Sequence, residues 1–414
     1  NKILKRRVCL LINEWIGLNV INDENMDKIY KLLQNLIDPS NPINDRVVKL
    51  TAIQTLKTIL TDWDFKKQII KPYLKDFTSL LIKLVGEMEF TESKLFTLNT
   101  IADLIYKTNP LISIEELEEL VSIVPKFWDA SNDSNELILK NSLLRILKNL
   151  IVSLNDNSPT TWDLAIPLIK ACCSPQSEYY AMLSEDGYEL WLALLQFYPI
   201  NHNDGAEDAM IQSLLELYIN ALMNQTEILP LILEILRSYT LLVPGLVVAD
   251  NTRDFIRGSF KILTKYIGNM RDDSLDILIS DLEITIMESY HDLNQFEKLL
   301  SLLMESGLLP KIISMILDDE QSPITVGKLL LIIARIAYIE PSNLIQAIHY
   351  IYPDETQFTT NLKKFTTVWY ARMDSNIGNP RNRKIHTLGL TSLLRTGQVV
   401  FFQDMSTLIS LWIS

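Results

Sequence analysis

One recurrence constrains this chain more than any other feature. A lysine opens a ladder of small or apolar residues three and seven positions further on, and it does so three times. Lys49 is followed by Ala52 and Leu56, Lys94 by Thr97 and Ile101, and Lys140 by Leu143 and Leu147. The anchors lie 45 and 46 residues apart. Positions three and seven apart share one face of an α-helix, so each ladder is the buried stripe of a helix that keeps returning. A second helical pattern precedes the first anchor, with Ile29, Leu32, Leu33, Leu36 and Ile37 on one face. Pro39 and Pro42 break it, and Asn44 or Asp45 can cap the next helix. That helix runs over 46–61, turns Val48, Ala52, Ile53, Leu56 and Ile59 inward, and stops at the TDWD turn. Ala52 is the small side chain where two helices come close.

Breakers return after each helix length: Asn109-Pro110, Asn157-Ser158-Pro159, Asn201 to Gly205, Pro244-Gly245, Pro323, Pro341 and Gly378 to Pro380. The best strand candidate, Leu242 to Asp250, is short and lies between two helical patterns, so it reads as a helix end or inter-helix loop. A two-helix unit returning every 45 residues or so matches the HEAT and armadillo period. The expectation is an all-α fold, an α-solenoid superhelix of HEAT repeats in the ARM-repeat superfamily. Residues 1–414 would form one continuous right-handed array of about nine helix pairs, each covering its apolar face with its neighbours. The rival is an irregular helical bundle whose leucines coincide.

Composition narrows the function classes. Only 12 glycines occur, which argues against an α/β enzyme built on many tight loops. Asp plus Glu number 51 against 38 Lys plus Arg, a net charge of -13. Such a surface is a poor general ligand for nucleic acid and a reasonable receptor for basic proteins. Three cysteines, Cys9, Cys172 and Cys173, exclude a disulfide framework and favour an intracellular setting. The most apolar run, Leu329 to Ile339, carries Arg335 and is too short to span a bilayer, so it reads as a buried helix and no membrane insertion is expected. The opening NKILKRRVCLLINEW reads as the inside of a helix, and the chain is expected to be a fragment of something longer.

The search for chemistry returns structural readings. His202, His291, His349 and His386 have no His or Cys partner at metal-binding spacing; His202 sits in a polar loop and His291 reads as solvent-facing. Cys172 and Cys173 read as small buried hydrophobes. Gly327-Lys328 resembles the end of a phosphate loop, but Ser322 stands where a glycine is needed and Leu329 where Ser or Thr is needed, so Pro323 is read as starting a helix. Ser306-Gly307 lacks the nucleophile elbow. The acids at Asp62 and Asp64, Glu115 to Glu119, Asp204 to Asp208, Asp272-Asp273 and Asp318 to Glu320 read as loop and helix N-terminal residues. No catalytic, cofactor-binding or metal residue is assigned, no cofactor is expected, and the chain is not read as an enzyme. Two basic clusters remain, Lys2, Lys5, Arg6 and Arg7, and Arg381, Arg383 and Lys384. Either could touch phosphate or an acidic protein, but neither has interleaved aromatics, so direct nucleic-acid binding is not expected. Trp15, Trp63, Trp128, Trp162, Trp191, Trp369 and Trp412 are spaced like one anchor per repeat, and Trp63 would pack the turn after its helix.

Three stretches carry a resemblance. KRRVCLLINEWIG, LLQNLIDPSNPINDRVVKLTAIQTLKTILTDWDF and NPRNRKIHTLGLTSLL resemble the karyopherin-β (importin-β) nuclear transport receptors, and within them the importin-eleven-like branch with its fungal counterpart. The resemblance implies a carboxy-terminal half of a receptor of about twenty HEAT repeats. It implies an importin that carries protein cargo through the nuclear pore under control of Ran-GTP, shuttling between nucleus and cytoplasm. Its implied partners are basic protein cargo, ribosome-related proteins among the candidates, the small GTPase Ran in its GTP form, mainly through repeats absent here, and Phe-Gly nucleoporins. The alternative is a HEAT-repeat scaffold for a multiprotein complex. The net charge also leads to the expectation that the chain helps form a concave cargo surface whose acidic inner-helix residues contact basic protein segments.

Overall fold

The computed structural model describes residues 1–18, 20–130, 137–199, 212–243, 245, 248–291, 293–375, 378–403 and 405–413. Among them are α-helices and short 3-10 turns and no strand. Part of the Leu242 to Asp250 run and all of Asn201 to Gly205 lie outside the described residues. Two compact units emerge, Asn1–Leu217 and Tyr218–Ser414.

Unit 1 contains α1 (Lys2–Gly17), α2 (Asp23–Ile37), α3 (Arg46–Thr61), α4 (Leu74–Glu87), α5 (Thr91–Thr108), α6 (Ile114–Ala130), α7 (Leu137–Leu154), α8 (Trp162–Cys173) and α9 (Tyr180–Gln196). The sequence marks several of these ends chemically. Asn22 and Asp45 accept the free backbone N–H groups of Asn25 and Val48, each at 2.9 Å. Before α6, Ser113 and Glu116 form a reciprocal capping box, with the Ser113 N–H donating to Glu116 at 2.8 Å. The helices form two layers. In the second layer α1, α3, α5, α7 and α9 pack side by side in succession; in the first, α2, α4 and α6 do the same, and α8 lies on α9.

The three sequence ladders are the core of that second layer. Ala52, Leu56, Thr97, Ile101, Leu143 and Leu147 are all fully buried. Cys172 and Cys173 are also fully buried, and burial pushes the Cys172 thiol up to about 12. A Cβ on Gly187 would stand 2.7 Å from the Cys172 Cβ, so α9 can lie on α8 this closely only through glycine.

Unit 2 contains most of α10 (Leu215–Asn224), then α11 (Leu229–Leu242), α12 (Arg253–Tyr266), α13 (Asp272–His291), α14 (Phe296–Glu305), α15 (Leu308–Ile316), α16 (Pro323–Ile339), α17 (Pro341–Ile351), α18 (Glu355–Ser375), α19 (Pro380–Leu393), α20 (Val399–Gln403) and α21 (Met405–Ile413). Here α11, α13, α16, α19 and α21 pack in succession, while α12, α14, α15 and α17 build the other layer. Proline opens α16, α17 and α19, where its missing N–H costs nothing. Helix α16 is the apolar run read as a buried helix, and its residues from Leu329 to Ala334 are all buried. No single helix among the described residues is long and apolar enough to cross a membrane. Where α19 crosses α16, a Cβ on Gly389 would lie 2.8 Å from the Ala334 carbonyl oxygen, inside contact distance.

The tryptophans divide. Trp128, Trp162, Trp191 and Trp369 are buried anchors, but Trp63 is 84% exposed, and Trp15 and Trp412 are about half exposed. The turn after α3 is packed by Phe65, which lines a small cavity with Ile59 and Tyr30. Trp63 projects into water, so the expected role passes to its neighbour two residues on.

Candidate interaction surfaces

Polar contacts between successive repeats of unit 1 link residues 39 to 47 positions apart. At the centre is Asp103 on α5, which is 8% exposed. It accepts from Arg145 of α7 at 2.5 Å and stands 3.7 Å from Lys57 of α3. Asn149 donates to the Ala102 carbonyl at 2.8 Å, and Ser142 to Asn99 at 3.0 Å. Further along, Lys148 pairs with Glu189 at 2.5 Å, and Asn141 donates to Asp186 at 2.6 Å. Burial raises the Asp186 carboxyl above its ordinary range. Lys140 is 1% exposed. Its ammonium lies 4.7 Å from the Trp128 ring centre and 4.4 Å from that of Tyr179, and donates to the Tyr179 hydroxyl at 3.1 Å. This aromatic sandwich replaces the water that a buried ammonium needs.

Charge is divided unevenly between the layers. Helices α3 and α7 carry three cations each and no acid. Acids of unit 1 concentrate on first-layer helices, as at Glu115 to Glu119 in the first turns of α6, where the helix dipole favours them. In unit 2 the acids do lie on the second layer. Helix α13 holds Asp272, Asp273, Asp276, Asp281, Glu283 and Glu288 without a Lys or Arg. Lys328 of α16 pairs with Asp276 at 2.8 Å, and Arg335 with Glu283 at 2.7 Å. Gly327 and Lys328 therefore belong to a helix and an ion pair. Asp281 is fully buried, one of its oxygens has no hydrogen-bond partner, and desolvation pushes its carboxyl up to about 7.

Beside α17, two grooves flank Tyr350, which is 74% exposed. One, of about 400 Å³, lies against α14 and is lined by Leu300, Met304 and Ala347; the other, of about 510 Å³, reaches Ile345 and Phe358. Both walls join apolar side chains with Gln346, a geometry suited to short apolar segments with exposed backbone.

Other sequence candidates find local partners. In the first basic cluster Lys2 and Arg6 pair with Asp45, at 3.7 and 2.8 Å, and Lys5 donates to Asn44, so those three serve the neighbouring cap. In the second, Arg383 donates to the Met373 carbonyl at 3.4 Å, while Arg381 and Lys384 are exposed. His386 is buried and accepts from the Trp369 indole at 3.0 Å, and desolvation lowers it to about 4. His291 is exposed, and His349 faces Glu355 at 3.4 Å. His202 and Asp204 to Asp208 lie outside the described residues. Among the described residues no group of three or more His, Cys, Asp or Glu is placed to hold a metal. The residues missed were Asp103 and Asp281, single acids inside apolar helical runs. Their signal was the cost of burying a carboxylate, and partner identity was absent from the local pattern.

The family model for importin-11-like proteins with TPR repeats matches residues 141–414. The importin beta-like protein KAP120 of Saccharomyces cerevisiae is 35% identical over all of this chain, which spans 41% of that protein. Human importin-11 is 24% identical over 99% of the chain and 39% of its own length. The structure of Lph2, described as a bidirectional nuclear transport receptor of S. cerevisiae, matches with a TM-score of 0.86 and 33% identity over the whole chain and 42% of its own. Kap121p, solved bound to Nup53p, shares the fold at a TM-score of 0.51 and 14% identity. The chain thus spans about two-fifths of the length of these relatives. Inter-repeat offsets of 39 to 47 fit HEAT-type units better than 34-residue TPR units.

Proposed function

The chain belongs to the importin-11-like branch of the karyopherin-β family, and from that premise we infer that it forms part of a nuclear transport receptor. That family is non-catalytic. The reading is of an importin that binds protein cargo and carries it through the nuclear pore under control of Ran-GTP, shuttling between nucleus and cytoplasm. The match of 274 residues, 141–414, to the family model carries the inference. On this reading the chain is the carboxy-terminal part of the receptor, the repeats that chiefly engage Ran lie outside it, and its two units belong to one array of about nine helix pairs.

The surfaces lend themselves to separate partners. Helix α13 offers carboxylates to basic cargo, ribosome-related proteins among the candidates, and such contacts weaken with salt because exposed charges are screened over about 8 Å at 0.15 M. The grooves beside Tyr350 suit Phe-Gly segments, whose aromatic rings would enter apolar clefts with little salt dependence. A HEAT-repeat scaffold is the second reading, since a solenoid of paired helices serves either role. A pull-down from nuclear extract with the full-length receptor, with and without excess GTP-loaded Ran, separates the two. Basic nuclear proteins released by Ran support transport. A fixed set of partners indifferent to Ran supports the scaffold.

A further inference from the structure

We propose that first-layer helix α12 is a docking surface for an acidic polypeptide segment, a role separate from the capture of basic cargo. Arg253, Arg257, Lys261 and Lys265 recur every fourth residue along α12 and so form one cationic stripe. Like charges four apart disfavour a helix, so the stripe opposes the stability of the helix that carries it. Two second-layer helices show such charges answered. All six cations of α3 and α7 are engaged: Arg46 by Glu89, Lys49 by the Pro39 carbonyl, Lys57 and Arg145 by Asp103, Lys140 by Tyr179 and Trp128, and Lys148 by Glu189. On α12, Glu305 pairs with Arg253, at 2.7 Å, and stands 3.8 Å from Arg257. Lys261 and Lys265 are exposed and have no ion-pair partner among the described residues. The exposed Lys311 of α15 extends the stripe, its stem 3.9 Å from where a Cβ on Gly268 would stand.

The stripe identifies its partner by charge and length. From Arg253 to Lys265 it spans about 18 Å at the helical rise. An extended peptide covers that distance with about six residues. No exposed aromatic side chain punctuates the stripe as stacked bases require, and a net charge of -13 repels a long polyanion. A short acidic run in a protein partner meets both conditions.

The test uses the whole chain and a fluorescein-labelled hexaglutamate peptide, read by fluorescence anisotropy. Saturable binding is expected, weakening from about 50 to about 150 mM salt. Lys261→Glu with Lys265→Glu should weaken it roughly tenfold or more. Lys261→Gln with Lys265→Gln should weaken it less. Lys28→Glu with Lys31→Glu changes net charge identically on α2 and should leave it within about twofold. Circular dichroism confirms that each variant is folded. Absence of saturable binding by the wild type, equal loss in the α2 control, or unchanged binding in the α12 variants overturns the proposal. Tighter binding of a labelled oligothymidylate than of hexaglutamate also overturns it, in favour of nucleic acid.

Discussion

The two units solve one packing problem with different spacing. In unit 1 second-layer helices begin at Arg46, Thr91, Leu137 and Tyr180, and inter-repeat polar contacts stay between 39 and 47 residues. In unit 2 they begin at Leu229, Asp272, Pro323, Pro380 and Met405; the first step is again 43 residues, but contacts then reach 52 residues for Arg335 with Glu283 and 56 for Lys328 with Asp272. One cause is visible in the first layer, where α14 and α15 replace a single helix and bend by 74° at Gly307, whose φ is 83°. The lesson concerns charge. A constant period sets each cation opposite the next repeat's partner, as with Asp103 between Lys57 and Arg145. The stretched interval keeps its ion pairs at longer offsets, Lys328 with Asp276 and Arg335 with Glu283, while among the described residues Asp281 lies buried without a cationic hydrogen-bond partner and Lys261 and Lys265 face solvent.

The sharpest attempt to break the comparison is in unit 1. Leu56→Asp buries an unpaired carboxylate in the regular ladder and should cost on the order of 4 kcal/mol. Because neighbours share that interface, hydrogen exchange should quicken in α1, α3 and α5 together. Exchange confined to α3 would show that the regular spacing does not couple the repeats.

In unit 2, Gly389→Val should cost about 2 kcal/mol, since its Cβ must push α19 off the Ala334 carbonyl. A urea midpoint equal to wild type would mean that this crossing is looser than its geometry.

The pH dependence sharpens the contrast. Desolvation raises the Asp281 carboxyl to about 7, against roughly 3.9 in an unfolded chain. Its contribution is therefore fully present below about pH 4 and is lost as pH rises through 7. Asp281→Asn, which carries no charge, should stabilise unit 2 by about 2 kcal/mol at pH 8 and leave it nearly unchanged at pH 4. Urea midpoints across that range measure it, and parallel curves for both proteins would refute it.

The smallest effect tests the paired acid. Arg145→Met removes one of the two cations around Asp103 but keeps the aliphatic stem, and Arg145 remains about 42% exposed. The expected loss is below about 1 kcal/mol, falling further at high salt. A loss of several kcal/mol would mean that Asp103 depends on Arg145 alone.

Helix periods, breakers and the repeat were legible in the sequence because they are properties of residues within one or two turns. Ala52, Leu56, Thr97, Ile101, Leu143 and Leu147 fell where the ladder put them, fully buried. Asp45, one of the two cap candidates, announced its helix by the same local logic. The interaction surfaces were less legible. The α12 stripe is written in its i,i+4 spacing, but that its outer half is unanswered depends on which acids pack within 4 Å from other helices. Lys2 and Arg6 looked like a free basic cluster until Asp45 closed on them, and Trp63 looked like an anchor until Phe65 filled its place.

The sequence by itself therefore determined that the chain is a succession of amphipathic helix pairs, because helical periodicity is local and each apolar face requires a neighbour. Only the tertiary structure decided which charges remain available. An ion pair requires two side chains to meet across a repeat, and the repeat length that brings them together is 39 to 47 residues in one unit and up to 56 in the other.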